Sequence, residues 1–180
     1  MAVKFENLNQ EHIDFINKQH LFFVGTAGKE GFVNVSPKGM DTLKIVSPNR
    51  VIWLNHTGSG NETAAHVAEN GRMTIMWCSF DKKPLILKLY ADAKVIHPRD
   101  KAWSEICGYF DKFTGTRQFF DLDISLVITS CGYGVPKFEY LSERDTLIKW
   151  ADNLGADGVK KYWKDENQVS LDGKNTHIFE

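Results

Sequence analysis

The stretch Leu85-Ile-Leu-Lys-Leu-Tyr-Ala-Asp-Ala-Lys-Val-Ile96 carries the clearest alternation of apolar and polar residues in this chain. Every second residue from Leu85 to Val95 is apolar. The positions between them include Lys88, Tyr90, Asp92 and Lys94. A period of two is typical of a β-strand with one buried face, because successive side chains point to opposite sides of a sheet. The stretch therefore predicts a long strand over residues 85–96.

Shorter segments on both sides of this strand predict further strands. They cover residues 21–24, 32–36, 43–46, 51–55, 72–80 and 124–129. Gly and Pro lie in most of the connections, as expected for hairpin turns, and Pro37 is expected to end the second strand. Short connections of this kind favour antiparallel pairing.

Helices are predicted in four places, over residues 9–19, 59–70, 98–109 and from 142 onward. Ser59-x-x-Glu62 and Ser142-x-x-Asp145 have the form of capping boxes at two of the helix starts. Few helices among many short strands predict a mainly β fold, a small antiparallel barrel. We expect one domain over residues 1–180, with a barrel core at about 20–136 and a helical carboxyl-terminal segment over 137–180.

The composition excludes several classes of protein. The chain has 180 residues, 42% of them hydrophobic and 25% charged, which is the range of a globular domain. A net charge of −1 disfavours a long basic face for nucleic acid. The amino terminus lacks the apolar stretch of a signal peptide, and no run approaches the length of a membrane span. Cys78, Cys107 and Cys131 form no C-x-x-C, so we expect reduced, mostly buried thiols and a cytoplasmic protein.

The most informative segment for function is Val51-Ile-Trp-Leu-Asn-His-Thr-Gly-Ser-Gly-Asn-Glu-Thr63. A strand there enters a Gly-containing loop that opens a helix. Unpaired N–H groups and partial positive charge at a helix start favour a phosphate. The side chains of Ser59, Asn61 and Thr63 add hydrogen-bonding groups. A well-capped helix with no ligand would show the same pattern.

Two lysines are further candidates, and each is also compatible with a solvated surface position. Lys38 lies in Asn34-Val-Ser-Pro-Lys-Gly39, together with Ser36, at the predicted end of a strand. Lys88 lies opposite the apolar face of the long strand. A lysine at either place can pair with a phosphate or with the pyrimidine edge of a cofactor ring.

Other chemical motifs are missing. A Walker A loop needs G-K-[ST], and the dinucleotide fingerprint needs a third Gly where this chain has Thr63. The strands also follow short turns rather than alternating helices, so a Rossmann fold is rejected. The six His residues show no metal-ligand spacing, and G-x-S-x-G is absent around Ser59. We therefore expect no metal site, and no catalytic residue can be named.

Taken together, Val-Asn-Val-Ser-Pro-Lys-Gly39, the strand and helix start over 51–63, and Leu-Ile-Leu-Lys-Leu-Tyr-Ala-Asp-Ala93 resemble the pyridoxamine 5′-phosphate oxidase-like flavoproteins. The resemblance covers residues 20–136 and, more loosely, Asn-Gln-Val-Ser-Leu-Asp-Gly173. It implies an FMN-binding split barrel and a homodimer with the flavin between the subunits.

The resemblance also implies roles for individual residues. Ser36 and Lys38 match strand-end contacts to the flavin or its ribityl phosphate, and Trp53 with Leu54 matches the pair whose backbone lies along the isoalloxazine. Ser59, Asn61 and Thr63 match the phosphate-binding helix start. Lys88 matches the polar group of the long strand that reaches the cofactor, and residues 133–136 match a contribution from the partner subunit.

The chain also departs from the true oxidase, which follows its phosphate-site Ser with two basic residues. Gly60 and Asn61 stand there in this chain, and Asn175-Thr-His-Ile178 lacks the oxidase's Arg and His for the substrate phosphate. The expected function is an FMN-dependent oxidoreductase acting on an unidentified small molecule, with NAD(P)H as a possible donor. The alternative is a non-catalytic or stress-related module that binds flavin, deazaflavin or haem, with His56 or His66 near the site.

Overall fold

A computed structural model describes residues 2–180, which form eight strands and four helices. In chain order they are β1 (Val3–Phe5), α1 (Gln10–Ile16), β2 (Phe22–Thr26), β3 (Asn34–Lys38), β4 (Leu43–Ser47), β5 (Arg50–His56), α2 (Glu62–Asn70), β6 (Arg72–Cys78), β7 (Ile86–Ile96), α3 (Trp103–Cys107), β8 (Thr116–Ser130) and α4 (Thr146–Glu166).

The strands form one antiparallel sheet in the order β3-β2-β6-β7-β8-β5-β4, with β1 added beside β8. Strand β7 pairs with β8 along its whole length at the centre, and β3 and β4 lie at the two edges. The sheet curls around its apolar face with the helices beside it. The prediction of a mainly β, antiparallel split barrel is confirmed.

The alternation of β7 determines which face of the sheet is buried. Leu87, Leu89, Ala91 and Ala93 point into the main core, where Trp53 of β5 stacks on Phe120 of β8 at 4.8 Å between ring centroids. The predicted strand over 85–96 therefore forms with the expected face inside. At about 25 cal/mol per Å² of buried apolar area, this face is the main source of the fold's stability.

Helix α3 covers one end of the other side of the sheet, which we call the outer face. There α3 packs Ile106 against Ile52, Leu54 and Phe119, which point away from Trp53 and Phe120. At the other end, cross-strand pairing aligns one row of half-buried side chains. The row runs through Phe23, Met76, Lys88 and Ile128, with exposed Pro37 at its edge.

Two strand predictions need correction. Pro37 does not end its strand but pairs with Phe23 inside β3, which is tolerated because β3 is an edge strand and needs no N–H there. The last strand begins at Thr116 and not at residue 124. Its first part contains the buried polar residues Arg117 and Gln118, which obscure a strand pattern in the sequence.

Two helix predictions also need correction. Helix α3 covers only Trp103–Cys107, and residues 98–102 form turns. Helix α4 begins at Thr146, after Asp145, whose side chain makes no cap bond, so the predicted box at Ser142 does not form. The helix kinks at Gly155, whose φ of 66° suits a residue without a Cβ. Asn9, in contrast, caps α1 by accepting from the His12 N–H at 2.9 Å.

Residues 167–176 follow α4 as a short irregular hairpin, closed by a bridge between Val169 and Asn175. Among residues 2–180, no helix combines the length and the apolarity needed to cross a bilayer. The three thiols are unpaired. Cys78 is buried as expected, whereas Cys131 is exposed.

Candidate functional site: an anion-binding loop beside two cations

The loop between β5 and α2, residues 57–61, is the centre of the site, and we call it the glycine loop. Helix α2 begins at Glu62, with Asn61 as its N-cap residue. The Asn61 side chain turns inward, where its oxygen accepts from Gln118 Nε2 at 2.7 Å. The predicted Ser59-x-x-Glu62 capping box is therefore wrong, and no side chain caps the helix start.

Arg117, at the start of β8, holds the glycine loop from the interior. Only 3% of this residue is exposed. One guanidinium nitrogen donates to the carbonyl oxygens of Gly60 at 3.0 Å and Gly58 at 3.4 Å, and to Asn167 Oδ1 at 2.7 Å. Burial lowers the Arg117 pKa to about 10, and its Nε has no hydrogen-bond partner among residues 2–180.

The direction of these carbonyl groups decides where the loop's N–H groups point. In a trans peptide the C=O and the following N–H are antiparallel. Because the carbonyls of Gly58 and Gly60 face Arg117, the N–H groups of Ser59 and Asn61 face away from it. No acceptor in the described part of the chain bonds the N–H groups of residues 59–63. Together with the positive end of α2, they form a concave row of donors suited to an anion.

The edge strand β3 supplies polar side chains on the same side of the sheet. Asn34 Nδ2 donates to Thr63 Oγ1 at 3.2 Å, and Ser36 Oγ donates to Asn34 Oδ1 at 3.4 Å. These bonds connect β3 to the first turn of α2. Ser36 and Thr63, predicted from separate motifs, are thus brought together.

Lys38 lies at the end of β3, with its Nζ 5.3 Å from the centroid of the Trp53 ring. Burial, together with the charge of Arg117, lowers the Lys38 pKa to about 8, whereas Glu62 opposes the shift. A lysine of this pKa is still largely cationic at neutral pH. Its charge is poorly solvated, so an anion beside it would be bound strongly.

His56 completes the group of nitrogen donors, and it is neutral at pH 7. Burial lowers its pKa to about 4, and the charges of Lys38 and Arg117 act in the same direction. Its Nε2 is buried without a protein partner, and its ring packs edge-on against Phe113 at 5.0 Å between centroids. His56 can therefore donate or accept one hydrogen bond toward a ligand.

Glu62 is an acidic group beside both cations. Its carboxylate lies against the Cα of Gly60, where a Cβ would come within 2.3 Å of Oε2. It raises the pKa of Lys38 and of Arg117 relative to burial alone. A bulkier residue than Gly at position 60 would displace this carboxylate. Gly60 therefore leaves room for Glu62 to act as the internal counter-charge to Lys38 and Arg117.

Phe113 lies between this region and a larger cavity. Besides its contact with His56, it lines a cavity of about 550 Å³ together with His20, Met40 and Tyr140. The chain reaches this cavity directly after Lys38 through Met40 and Asp41, both at positive φ (61° and 51°). Positive φ is uncommon for non-glycine residues.

The remaining predicted residues occupy different positions. Ser59 is exposed on the glycine loop, and Trp53 is 1% exposed in the core beneath Lys38. Leu54 points toward α3 and does not share a side with Trp53. Lys88 lies on the outer face, in the row of Phe23 and Met76, whereas Lys38 pairs with Phe22 on the inner side. Within one subunit Lys88 and Lys38 thus lie on opposite sides of the sheet.

Neither Arg117 nor Asn167 was predicted from the sequence as a site residue, and His56 was considered only as a haem ligand. One signal for Arg117 was present: Thr-Gly-Thr-Arg-Gln-Phe-Phe120 places a cation immediately before bulky apolar residues. Extending the predicted strand back to residue 116 would have placed Arg117 beside the end of β5. Asn167 opens the stretch Asn-Gln-Val-Ser-Leu-Asp-Gly173, which carried a loose family resemblance and no role for this residue.

Comparison with known proteins identifies the family. The model for pyridoxamine 5′-phosphate oxidase matches residues 8–131. A curated relative, the pyridoxamine 5′-phosphate oxidase family protein ustO of Aspergillus flavus, is 38% identical over 194 residues, covering 96% of this chain and 77% of the relative. This chain therefore belongs to the pyridoxamine 5′-phosphate oxidase family, as the resemblance in its sequence predicted.

Two solved structures share its fold. One is a Lactobacillus delbrueckii protein described as a candidate pyridoxamine 5′-phosphate oxidase; the TM-score is 0.56 at 17% identity, over 68% of this chain and 94% of that one. The other is HupZ of Group A Streptococcus, with a TM-score of 0.52 at 17% identity, over 66% of this chain and 91% of that one. At this identity the similarity concerns the fold.

Proposed function

We propose that this protein binds FMN and uses it as an oxidoreductase acting on a small molecule. The observation that carries the proposal is the glycine loop, whose N–H groups point away from the buried Arg117. Arg117 is hydrogen-bonded only to neutral oxygens among residues 2–180. Its charge is opposed only through space, by Glu62, and adds to the positive potential at the loop.

The residues present fit FMN. The unbonded N–H groups of residues 59–63, the Thr63 hydroxyl and the Lys38 ammonium form a donor set for a phosphate. The orphaned Nε2 of His56 provides one directed hydrogen bond nearby. When bound, the flavin supplies two-electron chemistry, and the protein contributes binding, orientation and local charge. Lys38 contributes positive charge at neutral pH.

The substrate is not proposed to be pyridoxamine phosphate. The carboxyl-terminal residues that hold the substrate phosphate in the true oxidase have no counterpart in this chain. Residues 175–178 supply no Arg, and Thr176 is buried. Charge-assisted hydrogen bonds contribute about 1.5–3 kcal/mol each, so the loss of these contacts removes most of the affinity for a substrate phosphate.

We further propose a homodimer that forms through the uncovered part of the outer face. Phe23, Met76 and Ile128 are half-buried there and lie outside the cluster that α3 covers. Pairing of two such faces would bury the row, and it would bring Lys88 of one subunit toward the other. A dimer thus accounts for the separation of Lys88 from Lys38, and it agrees with the role the family resemblance gives Lys88. We place this dimer in the cytoplasm.

The visible spectrum of the purified protein tests the proposal, followed by titration of the cofactor-free protein with FMN and with riboflavin. Flavin bands and tighter binding of FMN than of riboflavin are expected. A Soret band would indicate haem instead, and a colourless protein that takes up neither would overturn the proposal. Oxidation of NAD(P)H by the yellow protein then separates an enzyme from a binding module.

A further inference from the structure

The hairpin after α4, residues 167–176, lies along α2 and the glycine loop, and we call it the C-terminal strap. At its beginning Asn167 contacts the loop and Arg117. Further along, Asp172 Oδ2 accepts from the Phe32 N–H at 3.1 Å and lies 3.6 Å from Nε2 of His66 in α2. Lys174 forms an ion pair with Glu69, also in α2. The strap is thus attached to α2 at several points.

Asn167 is the point where the strap reaches the loop that carries the donor groups. It is 0% exposed. Its Oδ1 accepts from Arg117 at 2.7 Å, and its Nδ2 donates to the Gly58 carbonyl oxygen at 3.0 Å. Its backbone oxygen accepts from Thr176 Oγ1 at 2.6 Å and from Asn61 Nδ2 at 3.4 Å.

A second contact from the same region supports the loop at its other end. Trp163 of α4 donates from its indole N–H to Thr57 Oγ1 at 2.8 Å, and that hydroxyl donates to the Gly115 carbonyl at 2.9 Å. The loop's first residue, Thr57, and the Gly58 carbonyl are therefore both held from the carboxyl-terminal part of the chain.

A carboxamide suits this position because it offers an acceptor and a donor side by side. The acceptor, Oδ1, bonds Arg117, which has no carboxylate among its hydrogen-bond partners. The donor, Nδ2, bonds the Gly58 carbonyl oxygen, which would otherwise be bonded by Arg117 alone. Loss of either bond would free the Gly58 peptide to rotate. The N–H group of Ser59, which belongs to the same peptide, would then no longer point outward.

We propose that Asn167 is a positioning residue of the anion site: it fixes Arg117 and the Gly58 peptide so that the glycine loop presents its N–H groups to the phosphate of the ligand. This inference rests on the proposed flavin-binding function for the identity of the ligand. It extends the site to a residue outside the segment that matches the family model, which ends at residue 131.

Three variants test the role: Asn167→Ala, Asn167→Asp and, as matched control, Lys174→Met. Lys174→Met releases the strap from Glu69 without touching the loop. Asn167→Asp keeps an acceptor for Arg117, so it preserves the fold even where Asn167→Ala does not, but it removes the donor to Gly58. The first measurement is the ratio of FMN affinity to riboflavin affinity. The second is the NMR order parameter of the N–H groups of residues 58–61 in cofactor-free protein.

For both Asn167 variants we expect the ratio to fall by about tenfold or more, since one or two hydrogen bonds near charge are lost. The loop order parameters should fall from about 0.85 to below about 0.6. Lys174→Met should leave both measurements at wild-type values. The proposal would be overturned if Asn167→Asp kept the wild-type loop order parameters. It would also be overturned if Lys174→Met changed both measurements as much as the Asn167 variants do.

The two measurements also separate this inference from the proposed function. If wild-type protein binds FMN no better than riboflavin, the proposed phosphate site fails. The order parameters, measured without flavin, still decide whether Asn167 positions the loop.

Discussion

The side-chain oxygen of Asn167 accepts a hydrogen bond of 2.7 Å from Arg117, a residue 50 positions earlier in the chain. Both residues are buried, and the bond connects the start of β8 to the end of α4. The hydrogen-bond partners of Arg117 are all neutral and Glu62 acts on it only through space, so its burial is costly. Such an arrangement is typical of a binding site, where a ligand supplies the missing negative charge.

Replacing Arg117 by Met should therefore weaken ligand binding more than it weakens the fold. We expect FMN affinity to fall by about tenfold or more, whereas the free energy of unfolding falls by about 1–3 kcal/mol from the acceptors left unpaired. Titration calorimetry and urea unfolding measure the two effects. Arg117→Lys, which keeps the charge, is the control. A large loss of stability with unchanged affinity would show that Arg117 is only structural.

FMN affinity should depend on pH through Lys38. The ammonium is charged below its pKa of about 8 in the free protein and is neutralised above it. Because a bound phosphate favours the charged form, affinity should fall as the pH rises above about 8. Lys38→Arg stays charged and should remove this dependence, and Lys38→Met should bind weakly at every pH. A pH profile that is the same in wild type and Lys38→Arg would exclude Lys38 from the site.

Acid should destabilise the fold through buried neutral histidines. His97 is 3% exposed, and neither of its ring nitrogens has a hydrogen-bond partner among the described residues. Burial lowers its pKa from 6.5 to about 4, and the charge of Arg99 contributes. The unfolded chain therefore binds the proton first, and stability should be lost as the pH falls from about 6.5 to about 4.

The slope of the free energy of unfolding against pH measures this effect. His97→Gln should show a shallower slope than wild type in that window. His20→Gln, at an exposed position, serves as the control. Parallel curves for wild type and His97→Gln would contradict the assignment to His97.

The outer face should mediate dimer formation. Met76→Glu introduces a charge into the row of Phe23 and Ile128, and we expect it to give a monomer of 20.5 kDa. Light scattering after size-exclusion chromatography measures the mass. Lys160→Glu, on the exposed side of α4, should leave the wild-type mass unchanged. If wild type is itself a monomer, or if Met76→Glu keeps the dimer mass, the interface lies elsewhere.

The parts of the fold that the sequence predicted are those with a simple periodicity. Strand β7 alternates apolar and polar residues because one of its faces is buried and the other is not. Strand β8 was predicted over less than half its length, because Arg117 and Gln118 are polar residues buried by specific partners. Burial of that kind depends on hydrogen bonds between distant parts of the chain. It therefore produces no periodic pattern of apolar residues in the sequence.

The candidate site shows the same limit. Ser36, Lys38 and Thr63 were identified from short motifs, and the structure brings β3 and the start of α2 into contact. Lys88 was selected by its position on a strand, and only the register shows that it faces away from Lys38. Asn167 opens the stretch Asn-Gln-Val-Ser-Leu-Asp-Gly173 of the family resemblance, but its proposed role follows from a contact that no local pattern encodes.

The placement of the C-terminal strap has a consequence for biosynthesis. Ribosomes make the chain from the amino terminus, at about 5–20 residues per second, so all eight strands emerge before residues 167–176 do. The barrel can begin to fold while Arg117 and the glycine loop still lack Asn167. On the proposed role of Asn167, we expect ligand capture to wait until the strap has been translated and docked, so that a nascent chain competes poorly for the cofactor.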